Sequence, residues 1–354
     1  MKKDLFGLFV HEIAAEIIPL GLEKYRAKQI AEWLYRRGAV RFLDMDNLSL
    51  KNRLLLDDMF TITTAKVRTV QHAADGSTDK YLLAFPDGSA VETVLMRHPY
   101  GNSVCVSTQV GCAMGCRFCA STLLGKSRDL SAGEILRQVL FIQHALQQEN
   151  SKIHSLVIMG TGEPLENYDN VLRFMRLCHE PYCLNLSYRH MTLSTSGLVP
   201  QIDALAEEGL PITLSISLHS PNNTIRSEIM PINRKYPLET VLAAADRYAE
   251  KTGRRVTYEY ILLHGINSFP EQARELASLL RGRLANVNLI PANPVPERGI
   301  LRPAEASIRE FLTILQQRGI TATVRKEMGS DIQAACGQLR YRSFKEAPKN
   351  ISEP

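Results

Sequence analysis

Three cysteines within eight residues have a spacing that suits a metal cluster. Cys112, Cys116 and Cys119 follow the pattern Cys-x3-Cys-x2-Cys, and a loop turns such thiols toward one point only when it folds around a bound group. Three thiolates are one fewer than the usual four around an iron-sulfur cluster, so one iron would stay open to an outside ligand. A structural zinc site would need a fourth cysteine or histidine nearby, and this loop has no histidine.

A cluster with an open iron is typical of the radical S-adenosylmethionine (SAM) enzymes, which this loop resembles. In that superfamily the methionine group of SAM occupies the open position, and electron transfer to the sulfonium releases a 5′-deoxyadenosyl radical. The resemblance implies a 4Fe-4S cluster and SAM as cofactors. A disulfide scaffold is the other use of clustered cysteines, but seven cysteines in 354 residues are too dilute for one.

The length and composition are those of an ordinary globular protein. A chain of 354 residues, 45% hydrophobic and 22% charged, can form one large domain, such as an α/β barrel, with a smaller appendage. The amino terminus has no apolar leader and no apolar run approaches the ~20 residues of a membrane span, so we expect a cytoplasmic protein without a membrane partner. The net charge of +5 permits nucleic-acid binding but does not require it.

Residues 1–65 predict a helical domain with a basic surface. Apolar residues recur at helical spacing, and basic side chains alternate with aromatic ones, a combination that suits phosphate contact and base stacking. The alternative is a solvated helix whose aromatic residues belong to the core, and the residues alone leave both interpretations open. The basic residues are Lys24, Arg26, Lys28, Arg36, Arg37 and Arg41, and the aromatic ones are Tyr25, Trp33 and Tyr35.

The next segment, residues 66–98, predicts a β-hairpin extension. Residues 80–85 and 90–96 have the composition of strands, and the Pro-Asp-Gly-Ser sequence at 86–89 is a turn signal. In the second strand Glu92 alternates onto a largely apolar side, where a carboxylate needs a partner or a function. The alternative is an edge-strand glutamate that points toward solvent.

From residue 99 to 345, short apolar runs alternate with longer helical stretches, which is typical of parallel strands joined by crossover helices. The predicted fold class is α/β, a partial (β/α)6 barrel whose chemistry lies where strands end and loops begin. The cluster loop follows the first strand, and Ser131-Ala132-Gly133-Glu134 predicts the capping box of the first long helix. The predicted strands are residues 104–109, 155–159, 191–194, 212–217, 256–262 and 287–290.

Polar loop residues follow four further strands at the same edge of the predicted barrel. Glycine allows close backbone approach, and the Glu163 carboxylate suits the ammonium of a bound amino acid. Each residue has a structural alternative, such as a tight turn, a helix cap or a core histidine, but together we expect them to line one ligand pocket. They are Gly162 and Glu163, then Ser194, then Ser217, Leu218 and His219, and finally Asn293.

Three further cysteines lie outside the cluster loop and the first strand. Cys336 follows a short predicted strand at 321–325 and lies among small residues, where a thiol is either accessible or simply packed. Cys178 and Cys183 match no chemical pattern, and we interpret them as structural. The polar tail, residues 346–354, is expected to be disordered.

The motifs together resemble the RlmN/Cfr family of radical SAM RNA methyltransferases over most of the chain. The resemblance implies that Cys112, Cys116 and Cys119 bind the 4Fe-4S cluster, that the polar loop residues from Gly162 to Asn293 bind SAM, and that the helical domain binds RNA. The shared stretches are Val91-Glu92-Thr93-Val94, Gln109-Val110-Gly111-Cys112, Met159-Gly160-Thr161-Gly162-Glu163-Pro164, Ser217-Leu218-His219, Met230-Pro231-Ile232-Asn233 and Ala335-Cys336-Gly337-Gln338-Leu339.

The same resemblance implies roles for Cys336, Cys105 and Glu92. One SAM methylates Cys336, and a second yields the radical that activates this methyl group for addition to carbon 2 of adenine. Glu92 removes the ring proton, and Cys105 attacks the Cys336 sulfur, which releases the product and leaves a disulfide. The implied partners are large-subunit ribosomal RNA, tRNA modified next to its anticodon, and an electron donor such as flavodoxin or ferredoxin. We expect a monomer.

Two positions depart from the usual family sequence, and three other functions remain as alternatives. Thr161 replaces a methionine and Gln333 replaces an aspartate, but neither is a ligand or a nucleophile, so we expect a changed rate rather than a changed reaction. The nearest rival is a Cfr-type enzyme that methylates carbon 8, and Pro164 favours carbon 2 because those relatives tend to have alanine there. A radical SAM enzyme acting on protein or small molecules would not need Cys105 or Cys336. A non-catalytic RNA-binding module would leave the SAM loops without a purpose.

Overall fold

The computed structural model describes residues 2–293, 298–325, 328, 329, 332 and 339. The amino-terminal region is helical, as predicted, because its apolar residues form one buried stripe on each of the first two helices. A short parallel pair of strands joins its two ends. Its elements are β1 (Lys3–Asp4), α1 (Val10–Ile17), α2 (Arg26–Tyr35), α3 (Leu50–Met59) and β2 (Phe60–Thr61).

Four antiparallel strands follow and form one end of a large sheet. The predicted hairpin is confirmed, but a strand before it, β3, was missed because most of its side chains are exposed and the segment has no apolar face. The hairpin is hydrogen-bonded to the first barrel strand and so continues the barrel sheet. These strands are β3 (Lys66–His72), β4 (Thr78–Ala84), β5 (Ala90–His98) and β6 (Gly101–Cys105).

The rest of the chain alternates strands and helices, as the α/β prediction requires. The Ser131 hydroxyl accepts from the Glu134 N–H, and the reciprocal bond completes the capping box predicted for α4. The elements are β7 (Gln109–Val110), β8 (Arg128–Asp129), α4 (Ala132–Gln148), β9 (Ile153–Ile158), α5 (Tyr168–His179), β10 (Met191–Thr195), α6 (Val199–Glu207), β11 (Thr213–Ser217), α7 (Asn223–Ile229), α8 (Leu238–Thr252), β12 (Val256–Leu262), α9 (Pro270–Leu280), β13 (Ala285–Pro291), α10 (Glu305–Gln317) and β14 (Ala322–Val324).

The main sheet has the strand order β14-β13-β12-β11-β10-β9-β6-β5-β4-β3, and the pairs from β6 to β14 are parallel. The first predicted strand, 104–109, was too long, because β6 ends at Cys105 and Gln109 belongs to a separate two-stranded ribbon. The reason is a turn toward the next loop: the Thr108 and Gln109 N–H groups both donate to the Thr161 carbonyl, at 2.9 and 3.2 Å.

The two faces of the sheet differ in polarity. Leu156, Leu193 and Leu214 pack under the helices with at most 1% exposure and form part of the main core. Residues that stand side by side on neighbouring strands point to the same face, and the other face has polar rows such as Ser194-Ser215-Thr257 and Ser217-Glu259-Asn288. The barrel interior is therefore lined with hydrogen-bonding groups.

The helical amino-terminal region packs against α4 and α5 of the barrel. Gly7 lies so close to Gly133 at the start of α4 that a Cβ atom on Gly7 would stand 2.9 Å from the Gly133 Cα. Arg173 on α5 donates through Nε to the Gly7 carbonyl at 2.9 Å, and the Arg137 guanidinium lies 3.8 Å from the centre of the Phe6 ring. In the part of the chain that the structure describes, no helix has the length and apolarity of a membrane span.

Candidate active site

The cluster loop is held in place from both sides at the carboxyl edge of the sheet. Cys112 and Cys116 are buried, and Cys119 is half-buried. The Arg117 N–H donates to the Ile229 carbonyl at 2.9 Å, and Arg298 donates through Nη1 to the Cys116 carbonyl at 2.8 Å. The backbone around the three thiols is thus fixed by residues distant in sequence.

Burial disfavours the charged thiolate form of these side chains unless a bound cation offsets its cost. It raises the pKa of Cys112 to about 12, and burial followed by the repulsion between neighbouring thiolates raises the pKa of Cys116 well above its usual value. Among the described residues, no three ligating side chains stand close enough to share a single metal ion. Three thiol side chains on one loop are the donor set of an iron-sulfur cluster with one open iron, so the residues present fit the group that the sequence predicts.

The second loop, from Gly160 to Pro164, passes so close to residues 106–109 that two of its positions need glycine. A Cβ atom on Gly160 would stand 2.5 Å from the Val106 carbonyl oxygen. Gly162 has φ +114°, and a Cβ atom there would stand 2.7 Å from the Gln109 Cβ. Both glycines are therefore required because another part of the chain lies too close to admit a side chain.

Glu163 joins the second loop to the third. Its carboxylate is 3% exposed, and it accepts from the Ser196 N–H at 2.7 Å and from the Leu165 N–H at 3.1 Å. Burial raises the pKa of this carboxyl, and the hydrogen bonds from Ser196 oppose that rise. Glu163, which the sequence analysis suggests as the partner of a bound ammonium group, is thus already oriented by two backbone N–H donors.

Arg226, which the sequence analysis did not single out, connects the third and fourth loops. Its guanidinium is fully buried and donates to the Leu218 carbonyl at 3.0 Å, the Ser196 carbonyl at 2.9 Å and the Ser217 carbonyl at 3.1 Å. Its fourth acceptor is the Asn233 amide oxygen at 2.7 Å. Asn233 lies in the Met-Pro-Ile-Asn motif, so this residue of the motif supports Arg226.

His219 is a neutral side chain directly behind the cluster loop. It has φ +59°, its Nδ1 accepts from the Ile261 N–H at 3.0 Å, and its ring meets Phe118 edge-on at 4.7 Å between centroids. Burial, then the Arg226 charge, lowers its pKa to about 3. Because Nδ1 is an acceptor, the proton of the neutral ring is on Nε2, which makes Nε2 a donor.

The remaining predicted SAM residues lie at the same edge of the sheet. Ser194 is half-buried on β10, Ser217 is half-buried at the end of β11, and Leu218 is fully buried. Asn293 follows β13 and is exposed. The parallel topology brings these residues to one edge of the sheet, the edge at which the sequence analysis expects them.

A second group of residues lies within the antiparallel strands. Glu92 is 3% exposed, so its side chain does not point toward solvent, and its carboxylate lies 2.9 Å from the Nζ of Lys80, which is fully buried. Cys105 is buried at the end of β6, and burial raises the pKa of its thiol. Lys80 was missed, although the hairpin turn fixes the register that places Lys80 diagonally across from Glu92.

The other cysteines divide into two groups. Cys178 and Cys183 are buried in the main core, which agrees with their interpretation as structural. All six cysteines for which the structure gives a state are free thiols. Cys336 and Gln333 lie outside the described residues, as does the tail at 346–354.

The basic face of the amino-terminal domain is only partly available. Tyr35 is buried, as the core interpretation of the aromatic residues predicts, whereas Tyr25 is 56% exposed. Arg36 donates to the Pro181 carbonyl of the barrel. Arg37 is exposed and lies over the Trp33 ring at 4.4 Å. Arg37 is therefore a better candidate for a phosphate contact than Arg36.

Comparisons with known proteins agree over almost the whole chain. Residues 106–280 match the radical SAM superfamily, and residues 3–62 match the ribosomal RNA large subunit methyltransferase N-terminal domain. A probable dual-specificity RNA methyltransferase RlmN of Symbiobacterium thermophilum is 52% identical, covering 97% of this chain and 92% of that protein. A protein of the same name from Staphylococcus aureus strain JH9 is 49% identical, covering 96% and 93%. The crystal structure of a radical SAM methyltransferase from Sphaerobacter thermophilus has a TM-score of 0.92 and 44% identity, covering 95% of this chain and 98% of that one.

Proposed function

Because this chain belongs to the RlmN family of radical SAM RNA methyltransferases, we propose that it methylates carbon 2 of adenosine through a methylcysteine at Cys336. The proposed substrates are an adenosine of large-subunit ribosomal RNA and an adenosine next to the tRNA anticodon. The observation that supports this chemistry is the buried carboxylate of Glu92 on the strand beside the Cys105 thiol. A base and a nucleophilic thiol on one sheet face are what the second half of such a reaction needs.

The loops at the carboxyl edge of the sheet are the proposed binding site of the cofactors. Cys112, Cys116 and Cys119 would hold a 4Fe-4S cluster, and the residues proposed for SAM are Gly162, Glu163, Ser194, Ser217, Leu218, His219 and Asn293. When bound, these cofactors supply the transferred methyl group and a 5′-deoxyadenosyl radical, with two SAM molecules used per turnover. Glu163, held by its two backbone donors, offers a carboxylate for the ammonium of the methionine group.

The residues of the antiparallel strands act on the RNA adduct. After the Cys336 methylene radical has added to the ring, the adduct gives up its unpaired electron, which the cluster would accept when bound, and Glu92 accepts the ring proton. The Cys105 thiolate then attacks the Cys336 sulfur, an S–S bond forms, the S–C bond breaks, and the electron pair and a proton complete the methyl group of the product. Burial disfavours the Cys105 thiolate, and the nearby charges of Arg325 and Lys80 favour it.

We further propose a monomer that works with two kinds of partner. The helical amino-terminal domain would bind the RNA, since it offers exposed cations such as Lys24 and Lys28 and the exposed Tyr25 ring. A small electron-transfer protein such as flavodoxin or ferredoxin would supply the electrons.

The deciding experiment removes Cys105, because that thiol resolves the covalent adduct. Cys105→Ala expressed in cells should carry RNA that survives denaturing electrophoresis and collapses after ribonuclease treatment. The double variant Cys105→Ala, Cys336→Ala should carry none, since no adduct forms without the methyl carrier. The matched control, Cys178→Ala, removes a buried thiol of the core and should also carry none.

A Cys105→Ala protein that turns over normally and never carries RNA would contradict the methylcysteine mechanism. The position of methylation is settled separately by mass spectrometry of digested ribosomal RNA and tRNA. Methylation at carbon 8 instead of carbon 2 would assign the chain the Cfr-type activity.

A further inference from the structure

Lys80 and Glu92 form an ion pair inside the protein. Lys80 is 0% exposed and Glu92 is 3% exposed, and the Lys80 Nζ lies 2.9 Å from a carboxylate oxygen of Glu92. Removing two charges from water is expensive, and a packed apolar pair is often as stable or more stable. A pair of this kind is therefore weak evidence for stability, and its position calls for a functional explanation.

The register of the strands places the pair beside the reacting thiol. Lys80 on β4 stands opposite Val94 on β5, and Val94 stands opposite Cys105 on β6. Lys80, Val94 and Cys105 therefore point to the same face, and Glu92, two residues before Val94, shares it. The Lys80 ammonium group therefore lies on the face of the sheet that lines the barrel interior, and not in the core under the helices.

The backbone of β5 is held on both sides of the carboxylate. The Ser107 hydroxyl donates to the Glu92 carbonyl at 2.7 Å, and the Thr93 hydroxyl donates to the Gln138 side chain at 3.0 Å. With the backbone fixed in this way, the Lys80 contact holds the carboxylate on this face of the sheet.

We propose that Lys80 is a positioning residue that keeps the Glu92 carboxylate ionised and aimed at the ring proton of the RNA adduct. This inference rests on the proposed function, in which Glu92 is the base. In the step concerned, the ring C–H bond breaks, its electron pair stays with the ring, and the proton moves to the carboxylate. A buried carboxyl that already carries a proton cannot perform this step, and an adjacent ammonium favours the ionised form.

Other ionisable groups surround the pair. Burial raises the pKa of the Cys105 thiol on β6, and the charges of Arg325, just after β14, and of Lys80 oppose that rise. The Glu92 charge acts on the Cys119 thiol, but more weakly than burial, Ser121 and Arg298 do. Lys80 is the cation that lies within ion-pair distance of the carboxylate in the described part of the chain.

The test follows each half-reaction separately in the reconstituted enzyme. In Lys80→Met, which keeps the length of the side chain but removes its charge, methylation of Cys336 should proceed at the wild-type rate, as measured by mass spectrometry of the Cys336 peptide. Release of methylated RNA in a single turnover at pH 7 should fall on the order of 100-fold, the usual contribution of a general base. The covalent adduct should accumulate, and raising the pH should restore release. Lys80→Arg, which keeps the charge, should retain the wild-type pH profile.

A second measurement does not depend on activity. Infrared difference spectra of Lys80→Met against the double variant Lys80→Met, Glu92→Gln should show the carbonyl stretch of one protonated carboxylic acid at pH 7, whereas wild type against Glu92→Gln should show carboxylate bands. Wild-type pH profiles together with carboxylate bands in Lys80→Met would overturn the inference and leave the pair a purely structural one.

The Glu92→Gln variant separates the two claims. If Glu92→Gln releases methylated RNA normally, the proposed role of Glu92 as base fails. If Glu92→Gln stalls with adduct bound while Lys80→Met behaves as wild type, the base stands and only the role of Lys80 fails.

Discussion

The parallel and antiparallel parts of the main sheet build their functional groups in different ways. In the parallel part, β9 to β13, the polar groups proposed for the cofactors lie near the ends of strands or in the loops that follow them, and neighbouring loops are joined by neutral acceptors such as the Ser196 and Ser217 carbonyls. In the antiparallel part, Lys80 and Glu92 project from inside their strands and meet as a charged pair across the register. The proposed function assigns cofactor binding to the parallel part and proton transfer to the antiparallel part.

The difference also extends to how each part accommodates a buried charge. Arg226 in the parallel part spreads its charge over three backbone carbonyls and an amide oxygen, which fixes loop geometry without creating a base. Lys80 in the antiparallel part instead forms an ion pair, with a carboxylate oxygen of Glu92 at 2.9 Å. Substitutions in the two parts should therefore impair different measurable properties of the protein.

The largest effect is expected from the cluster loop. Changing Cys112, Cys116 or Cys119 to Ala should remove the iron, about four atoms per chain in the wild type for a cubane cluster, and with it all cleavage of SAM. Glu92→Gln, in the other part of the sheet, should keep its iron and cleave SAM. Iron analysis and deoxyadenosine release measure both, and a triple cysteine variant that retains its iron would refute the assignment of the cluster site.

Arg226→Met should cost about 3 kcal/mol of unfolding free energy. The substitution removes a buried donor from the Ser196 and Ser217 carbonyls and from the Asn233 amide oxygen, at about 1–3 kcal/mol each, partly offset by the desolvation of the lost charge. The Leu218 carbonyl keeps the Ser220 N–H as a donor at 2.8 Å. Urea unfolding of the apoprotein measures the change. The control, Arg247→Met, loses only a half-exposed ion pair with Asp203 and should cost less than about 1 kcal/mol. Equal losses in the two variants would show that Arg226 does not fix the loops.

His219 should make the stability of the parallel part depend on pH. Its folded pKa of about 3 lies below the ordinary 6.5, so the stabilisation is complete above pH 6.5 and is lost as the pH falls toward 3. Between pH 7 and pH 5 the wild type should lose about 2 kcal/mol through this group. His219→Asn should lack this part of the decline in urea unfolding, whereas replacing the exposed His264 should leave it in place. If the unfolding free energy of His219→Asn falls as much as that of the wild type, the low folded pKa assigned to His219 is wrong.

The smallest effect concerns the helical domain, outside both parts of the sheet. Arg37→Glu should weaken RNA binding and lower the slope of log affinity against log salt by roughly one unit, the loss of one phosphate contact. Cleavage of SAM without RNA should be unaffected, because Arg37 is far from the cluster loop in the chain and lies over Trp33 in a different domain. Arg247→Glu provides a matched charge reversal on α8. An unchanged slope in Arg37→Glu would make the basic face a solvated surface.

Local patterns were sufficient to predict which loops lie at the carboxyl edge of the parallel part. The cysteine spacing, the glycines of the second loop and the polar residues after successive strands can be read from the sequence because parallel strands place their carboxyl ends at one edge. The same patterns predicted a first strand that is too long. The chain turns after Cys105 because it donates hydrogen bonds to the Thr161 carbonyl, which lies in a loop some fifty residues away.

What the sequence determined by itself is the fold class, the cluster loop and the edge at which the loops meet, since each depends on residues close together in the chain or on strand order. Only the tertiary structure decided that Glu92 is buried against Lys80, that Arg226 holds two loops through their carbonyls, and that Arg36 is engaged by the barrel. The physical reason is that a buried charge is tolerated only with its partners. Those partners are chosen by strand register and domain packing, which no local pattern displays.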